Sequence, residues 1–477
     1  MRSGSVLAFA AMLSACGGGA GSISTGGGSS AGGGTPTPTP TTAGCTLRDR
    51  QNWAFAQLKE WYLFPETLPA SLDPSPYTTV QDYIDALTAT ARAQHKDRYF
   101  TYITSIAEEN AYYSSGSSAG FGIRLSYDTA ARRVFVMESF EGAPALTAGI
   151  DRGAEILAIG TSAADMQTVT SLMASGGSDA VVAALGPSTA GTARRLRISD
   201  SAGVREVTVT KADYSLDPVS SRYGAKVIDD GGHKVGYVNL RTFITTADPA
   251  LRSAFATFKA QGITDVIVDL RYNGGGLISI AELFGDLMGA NRSASDVFDY
   301  TTFRAEKSSS NTVGYFAPQS QSIAPTRIAF IGTSGTASAS ELVINGFVPY
   351  LHANAALVGT NTYGKPVGQI AIDKSACDDR LRLIAFRVEN RDHVGDYYDG
   401  LATKMEKTCS AGDDYHYQLG DPNEASVKVA LDFLGGRTCS AIASGDASTL
   451  ALRTTSRPEP LMPARPTTAQ REAPGMF

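Results

Sequence analysis

The chain has 477 residues, of which 43% are hydrophobic and 18% charged, and its formal net charge is -6. That length exceeds one ordinary core and suits two or three domains. The acidic balance argues against a nucleic-acid partner, which favours a basic surface, and many of the 49 glycines crowd near the N-terminus, where they describe a linker more than a fold.

Residues 1–15 read as an export signal: Arg2 is the positive start and Val6–Leu13 a short apolar run, well under the ~18 residues of a membrane helix. Leu13-Ser14-Ala15-Cys16 resembles a bacterial lipobox, which implies that Cys16 is lipidated. The alternative is a plain signal peptide cleaved after small residues. Gly17 rather than Asp follows the cysteine, so the expected address is the outer membrane, facing the periplasm or the cell surface. Residues 16–44 form a Gly/Ser/Thr tract ending in Thr-Pro repeats; it buries nothing and is expected to be a disordered tether with a stiffer end.

The other cysteines are Cys45, Cys377, Cys409 and Cys439. They allow three pairings, and an exported protein is free to form disulfides. The expectation is Cys377 with Cys409, closing a local excursion, and Cys45 with Cys439, stapling the ends of the folded body; free or partly paired thiols are the alternative.

Residues 45–117 read as helical, with Trp53, Leu58, Trp61 and Tyr62, then Val80, Tyr83, Ile84 and Leu87, at helical spacing. Asp97–Tyr102 closes that segment. Residues 118–213 change to short apolar runs between Gly and Asp turns, with strands around Phe121–Leu125, Val134–Val136, Ala154–Gly160, Leu196–Ile198 and Val207–Val209 and a short helix at Ala143–Gly149. Within them, Gly120-Phe121-Gly122-Ile123, Glu141–Ala145 and Gly149–Leu157 resemble a PDZ domain. That likeness implies that the Gly120–Ile123 loop offers backbone N–H groups to a terminal carboxylate while the peptide adds a strand to a sheet edge.

Residues 214–440 alternate strands (Val235–Leu240, Val266–Leu270, Arg327–Ile331, Ala356–Gly359) with helices (Pro249–Ala260, Leu277–Gly289, Ser338–Val348), which predicts an α/β core sheet covered by helices. Residues 441–477 turn to Ser, Ala, Thr, Pro and Arg and are expected to be a disordered tail.

Three turns in this region carry candidate chemistry. Thr333–Glu341 (TSGTASASE) runs from an apolar strand straight into a helix, where a serine is exposed and the helix start offers free N–H groups to an oxyanion. The plain structural reading is that Ser338 or Ser340 caps the helix, with Glu341 closing a capping box. Asn361–Gln369 places Lys365 between Gly364 and Pro366 in a turn after another strand; an exposed loop lysine is its structural alternative. Asp269–Gly276 ends a strand on three glycines, which let backbone approach a ligand closely.

Taken in order, a helical segment, a PDZ-like module, D-L-R-x-N-x-G-G, S/T-A-S-A-S-E and G-K-x-x-x-Q resemble the C-terminal processing (tail-specific) proteases over roughly Trp53–Leu434. The resemblance implies a crotonase-like α/β core with Ser338 as nucleophile, Lys365 as general base and Gln369 orienting the amine. It also implies an oxyanion hole from the N–H groups of Gly275 and Ala339, polypeptide substrates with free tails, and no metal or organic cofactor. A free lysine near pKa 10.4 is charged at neutral pH, so such a base has to be desolvated, and a neutral Gln beside it adds no opposing charge. The sequence departs from the pattern at Tyr272 and Gly274, where Asn and Pro are commoner. It also lacks an aspartate over Val348–His352, and the usual G-I-x-P-D run is reduced to Gly400–Lys404. The five histidines have no metal-ligand spacing; His352 and His393 are alternative bases, but neither sits in a turn motif. Two further readings stand beside the endopeptidase: an inactive PDZ-bearing scaffold lipoprotein and a hydrolase of non-peptide esters.

Overall fold

The computed structural model describes residues 43–443 and 458–477. The signal, Cys16 and the tether through residue 42 lie outside the described residues, as does 444–457. Among the described residues no helix is long and apolar enough to cross a membrane.

The centre is a six-stranded sheet in the order Ala225–Asp230, His233–Asn239, Asp265–Asp269, Arg327–Gly332, Ala355–Gly359, Lys407–Ser410. The first pair is antiparallel and every later pair parallel. Asp265–Asp269 and Ala355–Gly359 are buried at every position, as continuous apolar runs in a parallel sheet must be when helices cover both faces. Alternation then sorts the residues. Val266, Val268, Ile328, Phe330 and Leu357 face the helices Ala247–Ala260, Ile278–Leu287 and Ala339–Leu351, whereas Ile267, Ala329, Ile331 and Val358 face the helix Ala425–Leu434.

A five-stranded antiparallel sheet lies beside it, built around the long strand Asp379–Glu389, which pairs with Tyr102–Ser105, Val297–Phe303 and Val367–Lys374. This corrects the expected separate helical domain. Helix Leu47–Trp61, capped by Thr46 with Asp49 in a capping box, packs Ala54 and Leu58 into the same cluster as the main sheet. Leu63 N–H donates to Ile384 O. Residues 45–117 are thus a layer of the core and include a strand of its second sheet.

The 118–213 region is a unit with its own core of Phe121, Ile123, Leu125, Val136, Ile156, Ile198 and neighbours. Its sheet runs Ile123–Asp128, Arg133–Ser139, Glu155–Gly160, Ala193–Asp200, Gly203–Thr210. The helix Val169–Leu185 across it was not among the expected elements; Gly176 and Gly177 leave helical geometry inside it and break its apolar period.

Two further expectations are corrected. The disulfides are Cys45–Cys377 and Cys409–Cys439, with Cα separations of 5.5 and 5.3 Å, not Cys377–Cys409 and Cys45–Cys439. The start of the first helix is drawn to the second sheet by the Arg50–Asp379 ion pair, which sets Cys45 beside Cys377. Cys439 follows the helix that covers the edge strand carrying Cys409, where Ser410 N–H donates to Ser440 O. The tail is likewise not a free end over 458–477: Glu459–Pro460 pairs with Ser126–Tyr127, and Leu461 and Phe477 are buried in the 118–213 core.

Buried ion pairs join the layers. Arg271 forks to Asp269 and Glu424 and also reaches Asp413, which pairs with Arg152 of the 118–213 unit. Burial pushes the Glu424 carboxyl up, but the Arg271 guanidinium outweighs it and brings the value from 4.5 down to about 2. Because the folded value is depressed, this stabilisation is present above pH 4.5 and is lost as pH falls towards 2. Glu424→Ala, which leaves Arg271 with Asp269 and Asp413 as partners, is expected to cost about 1.5–3 kcal/mol in chemical denaturation at pH 7 and to lose much of that deficit near pH 3. An equal deficit at both pH values would show that the pair contributes nothing through charge.

Candidate active site

Three loops leave the carboxyl ends of adjacent parallel strands, the place where an open α/β sheet presents a ligand site. After Asp265–Asp269 comes the glycine turn 270–276. After Arg327–Gly332 comes the turn 333–338, and after Ala355–Gly359 the loop 360–366. Sequence neighbours in the sheet thereby become spatial neighbours at its rim.

Ser338 sits at the N-cap of helix Ala339–Leu351 with φ 56° and ψ -116°. A non-glycine residue there is strained, and the sharp strand-to-helix turn that results lifts a serine out of the backbone line. Gly275, at φ 122°, packs against it: a Cβ on Gly275 would lie 2.8 Å from Ser338 Cβ and 3.1 Å from Ala339 N. Ser338, Ala339 and Gly275 are therefore brought together. The Gly275 N–H donates to Asn273 Oδ1 at 2.9 Å.

Lys365 is half-buried on the cleft wall, and desolvation pushes its amine below the ordinary 10.5. Nζ donates to Gln369 Oε1 at 3.1 Å, and Gln369 Nε2 donates to Phe100 O. The neutral Gln369 side chain thus holds the amine and is itself fixed by the backbone. Among the described residues no hydrogen bond joins Ser338 Oγ to Lys365 Nζ; catalytic hydrogen bonds are commonly loose before substrate binds.

Sequence reasoning missed what ties these loops together. Glu341 is fully buried. Its Oε1 accepts from Thr362 Oγ1 (2.6 Å) and Gly364 N–H (2.7 Å), and its Oε2 from Lys365 N–H (2.7 Å) and Ser338 N–H (3.0 Å). Glu341 meets the Ser338 N–H as a capping-box residue would, and in addition it clamps the serine turn to the lysine loop. Arg98 completes the support, donating to Tyr363 O and Gly364 O, each at 2.6 Å. Arg98 and Phe100 lie in the 97–102 run that had read only as the end of a helical segment. Lys365, Gly274, Ala337 and Tyr363 line a cleft of about 1010 Å³.

The Gly120–Ile123 loop lies at the edge of the 118–213 sheet, with Gly122 at φ 75°. Its backbone is engaged by the chain itself: Gly122 and Ile123 N–H both donate to Phe477 O, at 2.9 and 3.3 Å. Of the other expected site residues, the four disulfide cysteines lie away from the cleft lining, and Cys16 is outside the described residues.

Residues 234–393 match the model of peptidase family S41. The carboxyl-terminal-processing protease of Synechocystis is 25% identical over 353 residues, which cover 72% of this chain and 74% of that one. Carboxyl-terminal-processing peptidase 2 of Arabidopsis thaliana chloroplasts is 28% identical over 267 residues, covering 53% of this chain and 46% of that protein, so the match spans about half the length of the Arabidopsis relative. A crystal structure from Bacteroides fragilis, assigned to the S41 proteases, superposes with a TM-score of 0.62 at 22% identity, over 80% of this chain and 97% of that one; it shares the fold.

The contact of Gly275 with the serine turn is testable. Gly275→Ala places a methyl group against Ser338 at a backbone φ that alanine rarely adopts and is expected to slow fluorophosphonate labelling of Ser338 by about 10²-fold and to lower the melting temperature. Unchanged labelling would show that the two turns do not need this approach.

Proposed function

We infer that this chain is a serine endopeptidase of the C-terminal processing type, acting on exported polypeptides through a Ser338–Lys365 dyad. The observation that carries the reading is the Glu341 clamp: one buried carboxylate holds the N–H of a strained serine and the N–H of a desolvated lysine, and the lysine amine meets a neutral glutamine.

The chemistry follows from those groups. Neutral Lys365 takes the Ser338 proton as Oγ attacks the scissile carbonyl carbon. The carbonyl oxygen becomes an oxyanion facing the N–H groups of Ala339 and Gly275, once the latter leaves Asn273; one such donor is typically worth about 10² to 10³ in rate. The ammonium returns its proton to the leaving amine, and water then hydrolyses the acyl-serine ester by the same proton relay. Gln369 keeps the amine aimed without adding negative charge.

The 118–213 unit is read as a PDZ module that receives the substrate's tail at Gly120–Ile123. Its support is the set of backbone donors at a sheet edge. Cys16 is read as the lipid anchor, and the 16–44 tract as the tether that lifts the enzyme off the membrane. Cys16→Ala is accordingly expected to move the protein from the membrane pellet to the soluble fraction; retention in the pellet would rule out this anchor.

The deciding assay is cleavage of casein by the protein and by its Ser338→Ala and Lys365→Ala variants. Each variant is expected to lose about 10³-fold or more of the activity while keeping the melting temperature. Because the base works only when neutral, the rate should rise with pH through the lysine's titration, on a limb lying below 10.5. No cleavage by the unaltered, folded protein would favour a binding scaffold, and cleavage of small esters with casein intact an esterase.

A further inference from the structure

Residues 458–477 lie where a polypeptide would have to lie. Glu459–Pro460 adds a short antiparallel strand to the edge of the 118–213 sheet, and Leu461 N–H donates to Leu125 O at 2.8 Å. The chain then crosses to the cleft. Helix Thr468–Glu472, opened by a capping box at Thr467, delivers Glu472 O to the N–H of Gly274 at 2.9 Å, one residue before Gly275. The Arg471 carbonyl oxygen packs directly on Gly274. Beyond Pro474 the chain returns to the sheet edge: Leu125 N–H donates to Gly475 O (2.7 Å), Phe477 N–H donates to Ile123 O (2.9 Å), and Gly122 and Ile123 N–H donate to Phe477 O. The Phe477 ring is only 3% exposed, inside the core of that unit.

We propose that segment 458–477 is a self-inhibitory strap: it fills the peptide groove, covers the catalytic cleft, and has to leave before a polypeptide substrate enters. The inference rests on the peptidase reading above for its effect on activity, and on geometry alone for its effect on binding.

Three physical blocks act together. The groove donors of Gly122 and Ile123 are satisfied from within the molecule, so an incoming tail competes with an intramolecular partner at an effective concentration of order millimolar or more. At the cleft, the strap backbone occupies the approach to Gly275. Between them, Glu472 buries a carboxylate, held by the Tyr113 hydroxyl at 2.9 Å, within electrostatic reach of the Lys365 amine. That charge favours the ammonium form, the opposite of what a general base needs; Arg471 and Arg382 act on the same amine in the other direction, and Asp97 in the same direction as Glu472. Arg124 couples the two ends: its Nη1 donates both to Tyr272 O of the glycine turn (2.6 Å) and to Pro474 O of the strap (3.2 Å).

Gly475 is the lever for a test. It sits at φ 87°, and a Cβ there would lie 2.7 Å from Leu125 O and 2.8 Å from Met137 Cε, so Gly475→Val evicts the strap without touching the dyad, Gln369 or the glycine turn. A fluorescent peptide with the sequence of residues 466–477 is titrated into the unaltered protein and into Gly475→Val by anisotropy, and casein cleavage is measured on the same samples. The expected result is at least about tenfold tighter peptide binding and at least about tenfold faster cleavage in the variant. Glu472→Gln is expected to move the rising limb of the pH–rate profile to lower pH; an unmoved limb would remove this charge from the strap's action. Equal affinity and equal rate in both proteins would overturn the strap. Tighter binding with no cleavage by either protein would keep the strap as the groove's occupant and sink the peptidase reading instead. If Gly475→Val does not fold, hydrogen exchange on the unaltered protein decides: the amides of Gly122, Ile123 and Leu125 should be protected and open together with those of 468–477, and rapid exchange at Gly122 and Ile123 would reject the proposal.

Discussion

One buried carboxylate sets the geometry on which the candidate site depends. Glu341 accepts hydrogen bonds from four groups, two on each oxygen. Its donors belong to the serine turn and the lysine loop, which leave adjacent strands of the parallel sheet. Burial pushes the carboxyl up from its ordinary value, and an unpaired carboxylate in this position would cost more than an uncharged polar group, or would take up a proton instead. The four donors offset that desolvation only when both loops are in place. The site is therefore assembled all together: displacing either loop strands the carboxylate, so local errors are expensive.

The same logic explains the concentration of unusual backbone around the cleft. Ser338 and Tyr272 hold φ of 56° and 63°, and Gly275 and Gly276 hold 122° and 134°. Such conformations persist only where the surroundings over-determine them. Here the surroundings are the Glu341 clamp on one side and buried cations on the other. Arg124 takes the Tyr272 carbonyl, and Arg152 donates to the Tyr272 hydroxyl at 3.1 Å. Both arginines come from the 118–213 unit, so that unit and the glycine turn are joined through buried side chains. Tyr272, a departure from the commoner asparagine, is the residue through which that unit grips the turn.

The two corrected disulfides have one cause. Each joins the ends of elements that pack together: the first helix against the second sheet, and the last core helix against the edge strand Lys407–Ser410. A pairing scheme built on closing excursions in the chain has no access to which layer a helix covers. The 45–117 segment was misjudged for the same reason. Its helices were readable from Trp53, Leu58, Tyr83 and Ile84, but their apolar faces complete the main core and do not form one of their own.

The local code of the sequence did not reveal the second sheet around Asp379–Glu389 or the helix Ala425–Leu434, and the roles of Ser338, Lys365 and Gln369 rested on a family resemblance. It was sufficient for the strands around Val235–Leu240, Val266–Leu270, Arg327–Ile331 and Ala356–Gly359 with their three helices, and for the β-rich unit with its Gly-Phe-Gly-Ile loop. Each of these is written in contiguous residues: apolar period, glycine where φ turns positive, small residues where a strand passes into a helix. Tertiary structure alone decided the rest. The double role of Glu341, the wall formed by Arg98 and Phe100, and the route of 458–477 through the cleft depend on partners far away in the chain. Arg98 and Gly364 are 266 residues apart, and Phe477 meets Gly122 across most of the molecule. A Ser/Ala/Thr/Pro/Arg-rich segment has no apolar period of its own to announce order; it is held by backbone hydrogen bonds and by the buried Leu461, Ala469, Ala473, Met476 and Phe477, whose partners exist only after the sheet edge and the cleft have formed.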